Sequence, residues 1–237
     1  MALLDDLESG VDDILRTSWS IREGRVVPSS DDVLLAGGGV RFDGTVLYAD
    51  LAQSSQLATD FQQRTAAKII KAFLLCCTKI ITAHNGKITS FDGDRVMGIF
   101  IGNSKDTNAA KTALKIKYAV EKVIKPKVKA HFTSMKETPY EIDHAVGVDT
   151  SSILAVRAGQ RGSNDLIWVG RSPNLAAKLS NIREPRYNSY ITENIFNVLN
   201  EEAKKGGQQN KDMWERRNYK WLDKSWIIYR SSWLWEP

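Results

Sequence analysis

The stretches Thr45-Val-Leu-Tyr-Ala-Asp-Leu51 and Phe91-Asp-Gly-Asp-Arg-Val-Met-Gly-Ile-Phe100 set our expectation for the fold. In each, a short apolar run typical of a buried strand meets a carboxylate, Asp50 in the first and Asp94 in the second. The segment between them has the apolar spacing of one helix face. Two strands that present an aspartate at the same level of a sheet predict a divalent-cation site, because hard cations prefer oxygen ligands and share them with substrate phosphates.

Composition narrows the class of protein. The 237-residue chain is 42% hydrophobic and 26% charged, the balance of an ordinary globular protein. Its net charge of +5 suits an anionic ligand, but the basic residues are scattered, so we expect no nucleic-acid groove. No apolar run approaches the roughly 20 residues of a membrane span, and the N-terminus lacks the pattern of a secretion signal. These features predict a cytoplasmic protein with neither a membrane nor a nucleic acid as partner.

The order of elements predicts two regions. Residues 1–40 combine a helix, with apolar residues at steps of four, and a linker rich in Gly and Ser. Residues 41–237 alternate strands and helices, with one long helix over 55–83 and another over 104–123 that Pro126 ends. This mixed order favours an α+β fold with helices on one sheet over a regular doubly wound fold.

Three motifs resemble class III nucleotide cyclases and occur in the family's order. Val46-Leu-Tyr-Ala-Asp-Leu51 resembles the first metal motif, and the Gly-Asp pair within 85–100 resembles the second. Gly170-Arg-Ser-Pro-Asn-Leu-Ala-Ala-Lys-Leu179 is similar to the third, Gly-x-x-x-Asn-x-Ala-x-Arg. The resemblance covers residues 42–200 and extends to the expected C-terminal hairpin. It implies that 41–237 form a cyclase catalytic domain with a mixed or antiparallel sheet flanked by helices, assembled as a head-to-tail homodimer.

The resemblance assigns metal and phosphate contacts to positions of this chain. Asp50, Asp94 and the backbone carbonyl of Leu51 would bind two divalent ions per site, Mn²⁺ or Mg²⁺. Ser54, in a strand-to-helix turn whose amides face outward, would contact the phosphates. Lys220 and Lys224 are both candidates for the family's C-terminal phosphate-binding lysine, and Lys224 is the one we favour.

The third motif assigns the groups that act on the ribose and on the transition state. Asn174 and Lys178 are four positions apart and therefore share one helix face. By carry-over, Asn174 orients the ribose. Lys178 stands where the family has Arg. A lysine keeps the positive charge but lacks the planar set of N–H donors with which a guanidinium binds two oxygens at once. In the family these two residues serve the metal site of the partner subunit, so a homodimer with two shared sites is implied.

The positions that read the base depart from the purine pattern. Ser90 stands where purine cyclases carry Lys or Glu, and Ile167 lies near the partner position, so neither purine code is present. Tyr48 stands where the family has Phe, and Arg95 stands where it has a small residue. The two larger side chains would narrow the base-binding pocket and add hydrogen-bond donors to it. A small base with carbonyl acceptors fits. The chain therefore resembles most the pyrimidine cyclases of bacterial Pycsar antiphage systems, which signal to a separate effector protein, and two uracil carbonyls favour UTP.

Other interpretations stay open at this point. The substrate could be CTP, or a purine nucleotide in an unusual pocket. An inactive nucleotide-binding regulator is a third class, although retention of both metal aspartates argues against it. Individually, Asp50 could cap a strand end, Tyr48 could be an ordinary strand aromatic, Arg95 could form a surface ion pair and Lys178 could be a solvated lysine.

Overall fold

The computed structural model describes residues 2–237, which group into two compact units. Unit 1 contains the N-terminal segment up to Asp43 together with Ser152–Gly170, and unit 2 contains Gly44–Ser151 and Arg171–Pro237. The division into 1–40 and 41–237 stays a prediction about domains. The contacts group a later hairpin with the N-terminal segment, a long-range association that the linear order of the chain does not reveal.

Unit 1 consists of one helix and two strand pairings. Helix α1 (Leu3–Arg16) carries apolar side chains on one face, and none of its residues is buried. Strand β1 (Ser20–Glu23) pairs in parallel with the first residues of β2 (Gly38–Ala52), so the expected linker contains a strand. Strand β6 (Ser163–Gly170) pairs antiparallel with the last residues of β5 (Asp143–Gln160).

Unit 2 contains the larger sheet and the helices that cover it. Its further elements are α2 (Ser54–Asp60), α3 (Gln63–Ala83), β3 (Lys87–Asp92), β4 (Arg95–Phe100), α4 (Lys105–Tyr118), α5 (Lys125–His131), α6 (Arg171–Leu179), β7 (Ser189–Thr192), α7 (Glu193–Val198), α8 (Glu201–Lys204), β8 (Lys205–Gly206), β9 (Lys211–Asp212), β10 (Glu215–Trp221) and β11 (Lys224–Ser231). The sheet has the order β10-β11-β7-β5-β2-β4-β3. β7 pairs in parallel with β5, whereas β2–β4 and β4–β3 are antiparallel. The expected α+β class with a mixed sheet is confirmed.

The core of unit 2 lies between the sheet and α3. Ile69, Phe73, Cys77 and Ile81 are buried at steps of four along that helix. Burying a large apolar side chain of this kind contributes about 1.5–3 kcal/mol. Cys77 fills the core, and its neighbour Cys76 is half-buried. Across residues 2–237, each helix is too short or too polar to cross a lipid bilayer.

Two helix boundaries differ from the expectation. The helix expected over 55–83 is interrupted at Phe61 and Gln62, which separate α2 from α3. The prediction that Pro126 ends a helix is wrong, because the chain passes through a π-helical turn at Ala119–Ile124 into α5, where Pro126 occupies the first turn. Proline lacks a backbone N–H, and the altered hydrogen bonding of the adjacent π-helical turn, in which the Lys125 N–H donates to the Val120 carbonyl, lets the helical chain continue past it.

Gly147 lets α6 pack directly on β5. A Cβ atom at Gly147 would overlap the carbonyl oxygen of Ala176 and the backbone nitrogen of Ser180, and backbone atoms of a helix yield less readily than a flexible side chain. The sheet and α6 are therefore held at a separation that only glycine allows.

We expect Gly147→Ala to destabilise the protein by about 1–3 kcal/mol, because overpacking forces α6 away from the sheet. Urea denaturation followed by circular dichroism measures the change. Gly10→Ala is the matched control, since no atom lies within 4 Å of a Cβ there and the residue is within α1. We expect Gly10→Ala to stay within about 1 kcal/mol of wild type. Equal losses in the two variants would contradict the close-packing argument.

His144 on β5 is a core residue with an unusual environment. It is 1% exposed, and neither ring nitrogen has a hydrogen-bond partner among the residues that the structure describes. Burial lowers the pKa of His144 to about 3, and the positive charges of Lys117, Lys125 and Arg183 act in the same direction. The imidazole is therefore neutral in the folded protein at neutral pH.

Acid should weaken the fold through His144. Its pKa falls from 6.5 in the unfolded chain to about 3 in the folded one, so between those values the unfolded state binds more protons and stability drops as pH falls. From pH 7 to pH 4.5 we expect a loss of about 2–3 kcal/mol from this residue. Urea midpoints at the two pH values should lie closer together in His144→Leu than in wild type. The exposed His131→Leu serves as control, and an unchanged pH dependence in His144→Leu would refute the assignment.

Candidate active site

Strands β2 and β4 bring the two metal-binding candidates to one corner of the sheet. Asp50 pairs with Arg95 across the strands, and Asp94 immediately precedes Arg95 in a two-residue turn. Continuation of the antiparallel register sets Asp94 opposite Leu51, whose carbonyl the resemblance implies as a ligand. Gly93 has φ of +60°, which opens the turn in the conformation that two-residue hairpins favour.

Tyr140 connects Asp94 with the end of β2. Its hydroxyl donates a hydrogen bond of 3.4 Å to the Ala52 carbonyl. Burial raises the pKa of Tyr140 to about 12, and the negative charge of Asp94 adds to that rise, so this carboxylate lies near the end of β2. The corner thus offers two carboxylates and strand-end carbonyls, the oxygen donors that hard divalent cations take.

No group of three or more His, Cys, Asp or Glu side chains within residues 2–237 could hold a metal ion. The candidate ligands of this corner are two carboxylates, Asp50 and Asp94. Magnesium and manganese commonly take one or two carboxylates from the protein and complete their coordination with substrate phosphates and water. The donor set fits an ion that arrives together with a nucleotide.

Two guanidinium groups hold the Asp50 carboxylate. Asp50 is 7% exposed, Arg95 donates from Nε to Oδ1 at 3.1 Å, and Arg183 donates from Nη2 to Oδ2 at 2.5 Å. Arg95 also donates from Nη2 to Oδ1 of Asn181 at 2.7 Å. Both oxygens of the carboxylate therefore accept hydrogen bonds from a cation, which compensates the cost of burying the charge.

Three of the four base-binding candidates gather on one face of the sheet. Tyr48 shares a side-chain hydrogen bond with Ser90, and the guanidinium carbon of Arg95 lies 5.9 Å from the centroid of the Tyr48 ring. Burial raises the pKa of Tyr48, and Asp92 adds to the rise while Arg95 opposes it, so the hydroxyl keeps its proton at neutral pH. The fourth candidate, Ile167, belongs to β6 in unit 1 and is 47% exposed.

Helix α6 presents the third motif. Asn174 and Lys178 are exposed and share a face, whereas Leu175 and Leu179 are buried against β5 and β7. The amphipathic period of the segment therefore directs the motif's two polar side chains toward solvent.

A buried ion pair anchors the first residue of α6. Arg171 donates from Nε to Oδ2 of Asp149 at 2.9 Å, and Asp149 is fully buried. Thr192 donates to the other carboxylate oxygen at 2.7 Å. The Arg171 guanidinium also lies 5.4 Å from the ring centroid of Trp226 in β11, so the hairpin that carries the exposed Lys224 packs beside the start of α6.

A groove of about 710 Å³ adjoins the β3–β4 turn that carries Asp94. Ser54, in the first turn of α2, lines it together with Asp94, Phe91 and Lys71. The phosphate-binding candidate Ser54 and one metal-binding candidate thus face the same space.

Sequence reasoning missed the residues that hold the site in place. Arg183 and Asn181 lie in an irregular segment after α6 and belong to no motif, so no local pattern indicates them. Asp149 was detectable, since it follows the apolar run 145–148 at the end of a strand just as Asp50 follows its own run. Arg171 stands inside the third motif but at one of its variable positions.

The chain is similar to several uridylate cyclases over its whole length. It is 42% identical over 237 residues to the uridylate cyclase of Rhodovulum sp. (strain MB263), with 100% of this chain and 99% of that protein aligned. It is 43% identical over 236 residues to the enzyme of Xanthomonas perforans and 38% identical over 237 residues to that of Burkholderia cepacia, each with 99% of both chains covered. No protein-family model matches the sequence.

Several solved structures with the same fold are adenylyl or guanylyl cyclases. The guanylyl cyclase Cya2 superposes with a TM-score of 0.63 at 17% identity over 84% of this chain and 96% of that one. The adenylyl cyclase CyaB from P. aeruginosa gives 0.58 at 19% identity over 81% and 95%. A bacterial light-regulated adenylyl cyclase gives 0.65 at 18% identity over 83% and 53%. Sequence identity below 20% to these structures supports a shared fold only. Identity near 40% over the full length of several relatives defines a family. The chain therefore belongs to the uridylate cyclase family and has the class III nucleotide cyclase fold.

Proposed function

We propose that this chain converts UTP to 3′,5′-cyclic UMP and pyrophosphate. The observation that carries the proposal is its identity of 38–43% to uridylate cyclases over essentially the full length of both partners. In this reaction the ribose 3′-oxygen forms a bond to the α-phosphorus, its proton leaves to a base or to solvent, and the bond from the α-phosphorus to the bridging oxygen of the β-phosphate breaks.

Two divalent ions, Mn²⁺ or Mg²⁺, are part of the proposal. Asp50, Asp94 and the carbonyl of Leu51 would hold them at the corner where β2 meets the β3–β4 turn. Bound ions would lower the pKa of the 3′-hydroxyl and neutralise charge on the phosphates. Ser54 lines the adjoining groove and is proposed to contact the triphosphate, as is Lys224 from the β10–β11 hairpin.

The uracil ring is proposed to bind at Tyr48, Ser90 and Arg95. Tyr48 keeps its phenolic proton, and the two hydrogen bonds from Arg95 to Asp50 and Asn181 use two of the five N–H groups of its guanidinium. These side chains supply donors, which suits the two ring carbonyls of uracil. Ile167 of β6 is proposed as an apolar contact to the base.

Each site is proposed to combine two subunits of a homodimer. Asp50 is buried, whereas Asn174 and Lys178 are exposed on one face of α6. Exposed motif residues suit a role in a partner's site. There Asn174 would orient the ribose, and Lys178 would stabilise the negative charge that develops on the phosphates.

The product is proposed to act as a signal. Cyclic UMP would be read by a separate effector protein as part of cytoplasmic antiphage defence. Support for this role is the resemblance of the base-binding positions to the Pycsar cyclases, since Tyr48, Arg95 and Ser90 depart together from the purine pattern.

Substrate choice tests the proposed activity. The purified protein is incubated with Mn²⁺ and each of the four nucleoside triphosphates in turn, and cyclic products are identified by mass spectrometry. We expect cyclic UMP as the main product. In Tyr48→Phe, which removes one hydroxyl and its bond to Ser90, we expect kcat/KM for UTP to fall about tenfold, the size of one hydrogen bond to the substrate.

Tyr219→Phe on β10 is the control for loss of a tyrosine hydroxyl and should match wild type. Cyclic CMP or a cyclic purine nucleotide as the main product would overturn the choice of UTP. Absence of any cyclic product would favour a nucleotide-binding regulator.

Mixed dimers test the shared site. Asp50→Asn and Asn174→Ala should each be inactive alone. After subunit exchange in equal amounts, half of the dimers are mixed, and each mixed dimer regains one intact site if the two residues come from different subunits. We therefore expect about one quarter of wild-type activity.

Mixing Asp50→Asn with Asp94→Ala is the control, because both substitutions lie in the metal half and no arrangement restores an intact site. Recovery in the control, or none in the first mixture despite exchange verified by mass spectrometry of tagged subunits, would show that the residues are not divided between subunits as proposed.

A further inference from the structure

Arg183 donates a hydrogen bond to Oδ2 of Asp50, an oxygen that the proposed metal ion needs as a ligand. Both carboxylate oxygens of Asp50 accept from arginines, and the Asp50 side chain is only 9% exposed. An entering divalent cation would meet two positive charges within a few ångströms, and like charges at such distances repel strongly where water is scarce. Departure of one guanidinium from Asp50 would remove this repulsion and free a carboxylate oxygen for the metal.

Arg183 is better placed to leave than Arg95. Arg95 lies on β4, directly opposite Asp50, and a second bond of 2.7 Å to Asn181 fixes its other end. Arg183 lies outside the helices and strands, and its side chain is 36% exposed against 24% for Arg95.

The remaining contacts of Arg183 are local. Its Nη1 donates to the carbonyl oxygens of Ser180 at 2.7 Å and Ile182 at 3.0 Å. These acceptors are three residues away and one residue away in the chain, so the side chain can swing without disturbing a strand or a helix.

We propose that Arg183 is a positioning residue that acts as an exchangeable counter-ion. It neutralises Asp50 until a metal-bound triphosphate arrives, and it then moves from the carboxylate to a phosphate oxygen. A guanidinium binds carboxylate and phosphate with the same fork of donors, so the exchange replaces one charged hydrogen bond with another. This inference rests on the proposed function, because it takes Asp50 as a metal ligand and a nucleoside triphosphate as substrate.

The exchange predicts a coupling between metal and nucleotide. Metal alone competes with Arg183 for Asp50 and binds weakly. Metal with triphosphate supplies both the cation that replaces Arg183 and the anion that receives it, so each ligand strengthens the binding of the other. Competition from Arg183 therefore disfavours the binding of free metal ions at Asp50 until the triphosphate is present.

The test measures Mn²⁺ binding to the full-length protein by the electron paramagnetic resonance signal of free Mn²⁺, with and without 3′-deoxy-UTP, which lacks the reacting hydroxyl. We expect Arg183→Gln to bind Mn²⁺ alone roughly tenfold more tightly than wild type, and the strengthening caused by 3′-deoxy-UTP to shrink by about the same factor. Arg183→Lys, which keeps the charge, should stay near wild type in both.

Arg217→Gln is the matched control. It removes the same charge from β10, where Arg217 pairs with Glu215 at 2.6 Å, and it should change neither value. Thermal unfolding verifies that each variant is folded, and Arg183→Met, which keeps the aliphatic stem, replaces the Gln variant if that one fails.

Two outcomes would overturn the inference: folded Arg183→Gln or Arg183→Met binding Mn²⁺ no more tightly than wild type, or Arg183→Lys binding as tightly as the neutral variants. Asp50→Asn separates this inference from the proposed function. If Asp50→Asn binds Mn²⁺ and 3′-deoxy-UTP as wild type does, the metal assignment itself is wrong. If it abolishes Mn²⁺ binding while Arg183→Gln has no effect, only the counter-ion role is lost.

Discussion

The structure around the site depends on how the charge of Asp50 is compensated. A carboxylate that is 7% exposed at the end of a central strand is costly unless every oxygen is hydrogen-bonded. Arg95 supplies one partner from the neighbouring strand, and Arg183 supplies the other from the segment after α6. The same two bonds therefore link Asp50 to the strand that carries Arg95, to the face proposed to bind the base, and to the segment that follows the third motif. A substitution of Asp50 would therefore affect the Asp50 corner, the strand that carries Arg95 and the segment after the third motif.

Helix α6 is held by a separate set of contacts, which gives the third motif its own support. Gly147 allows the close approach to β5, and the buried Asp149 binds Arg171 at the first residue of the helix. Neither contact involves Asp50. The start of α6 and its sheet-facing side are thus held by contacts that Asp50 does not make, whereas the segment after α6 is linked to Asp50 through Arg183. A site divided between two subunits needs each half to be rigid by itself.

How much the sequence predicts depends on whether the signal is local. Asp50 follows an apolar run, and Asn174 and Lys178 share a helix face by spacing, so each could be named from a few neighbouring residues. Arg183 lies 133 positions from Asp50 in an irregular segment, and only folding brings the two together. The pairing of β1 with β2 was hidden for the same reason. The prediction of a helix end at Pro126 was wrong because a π-helical turn precedes this proline, and such turns have no reliable sequence pattern.

One departure from the family's motifs, Lys178, is linked by charge to Arg183, which lies outside the motifs. Lys178 replaces an arginine whose fork can bind two phosphate oxygens at once, and a lysine offers a point charge in its place. Five positions later the chain carries Arg183, whose Nη2 donates to Asp50, the proposed metal ligand of its own subunit. Under the proposed exchange this guanidinium is released only where a metal-bound triphosphate has taken Asp50. The metal half of the proposed site would then add a guanidinium donor to the phosphates beside the point charge of Lys178, and only after the metal-bound triphosphate has entered.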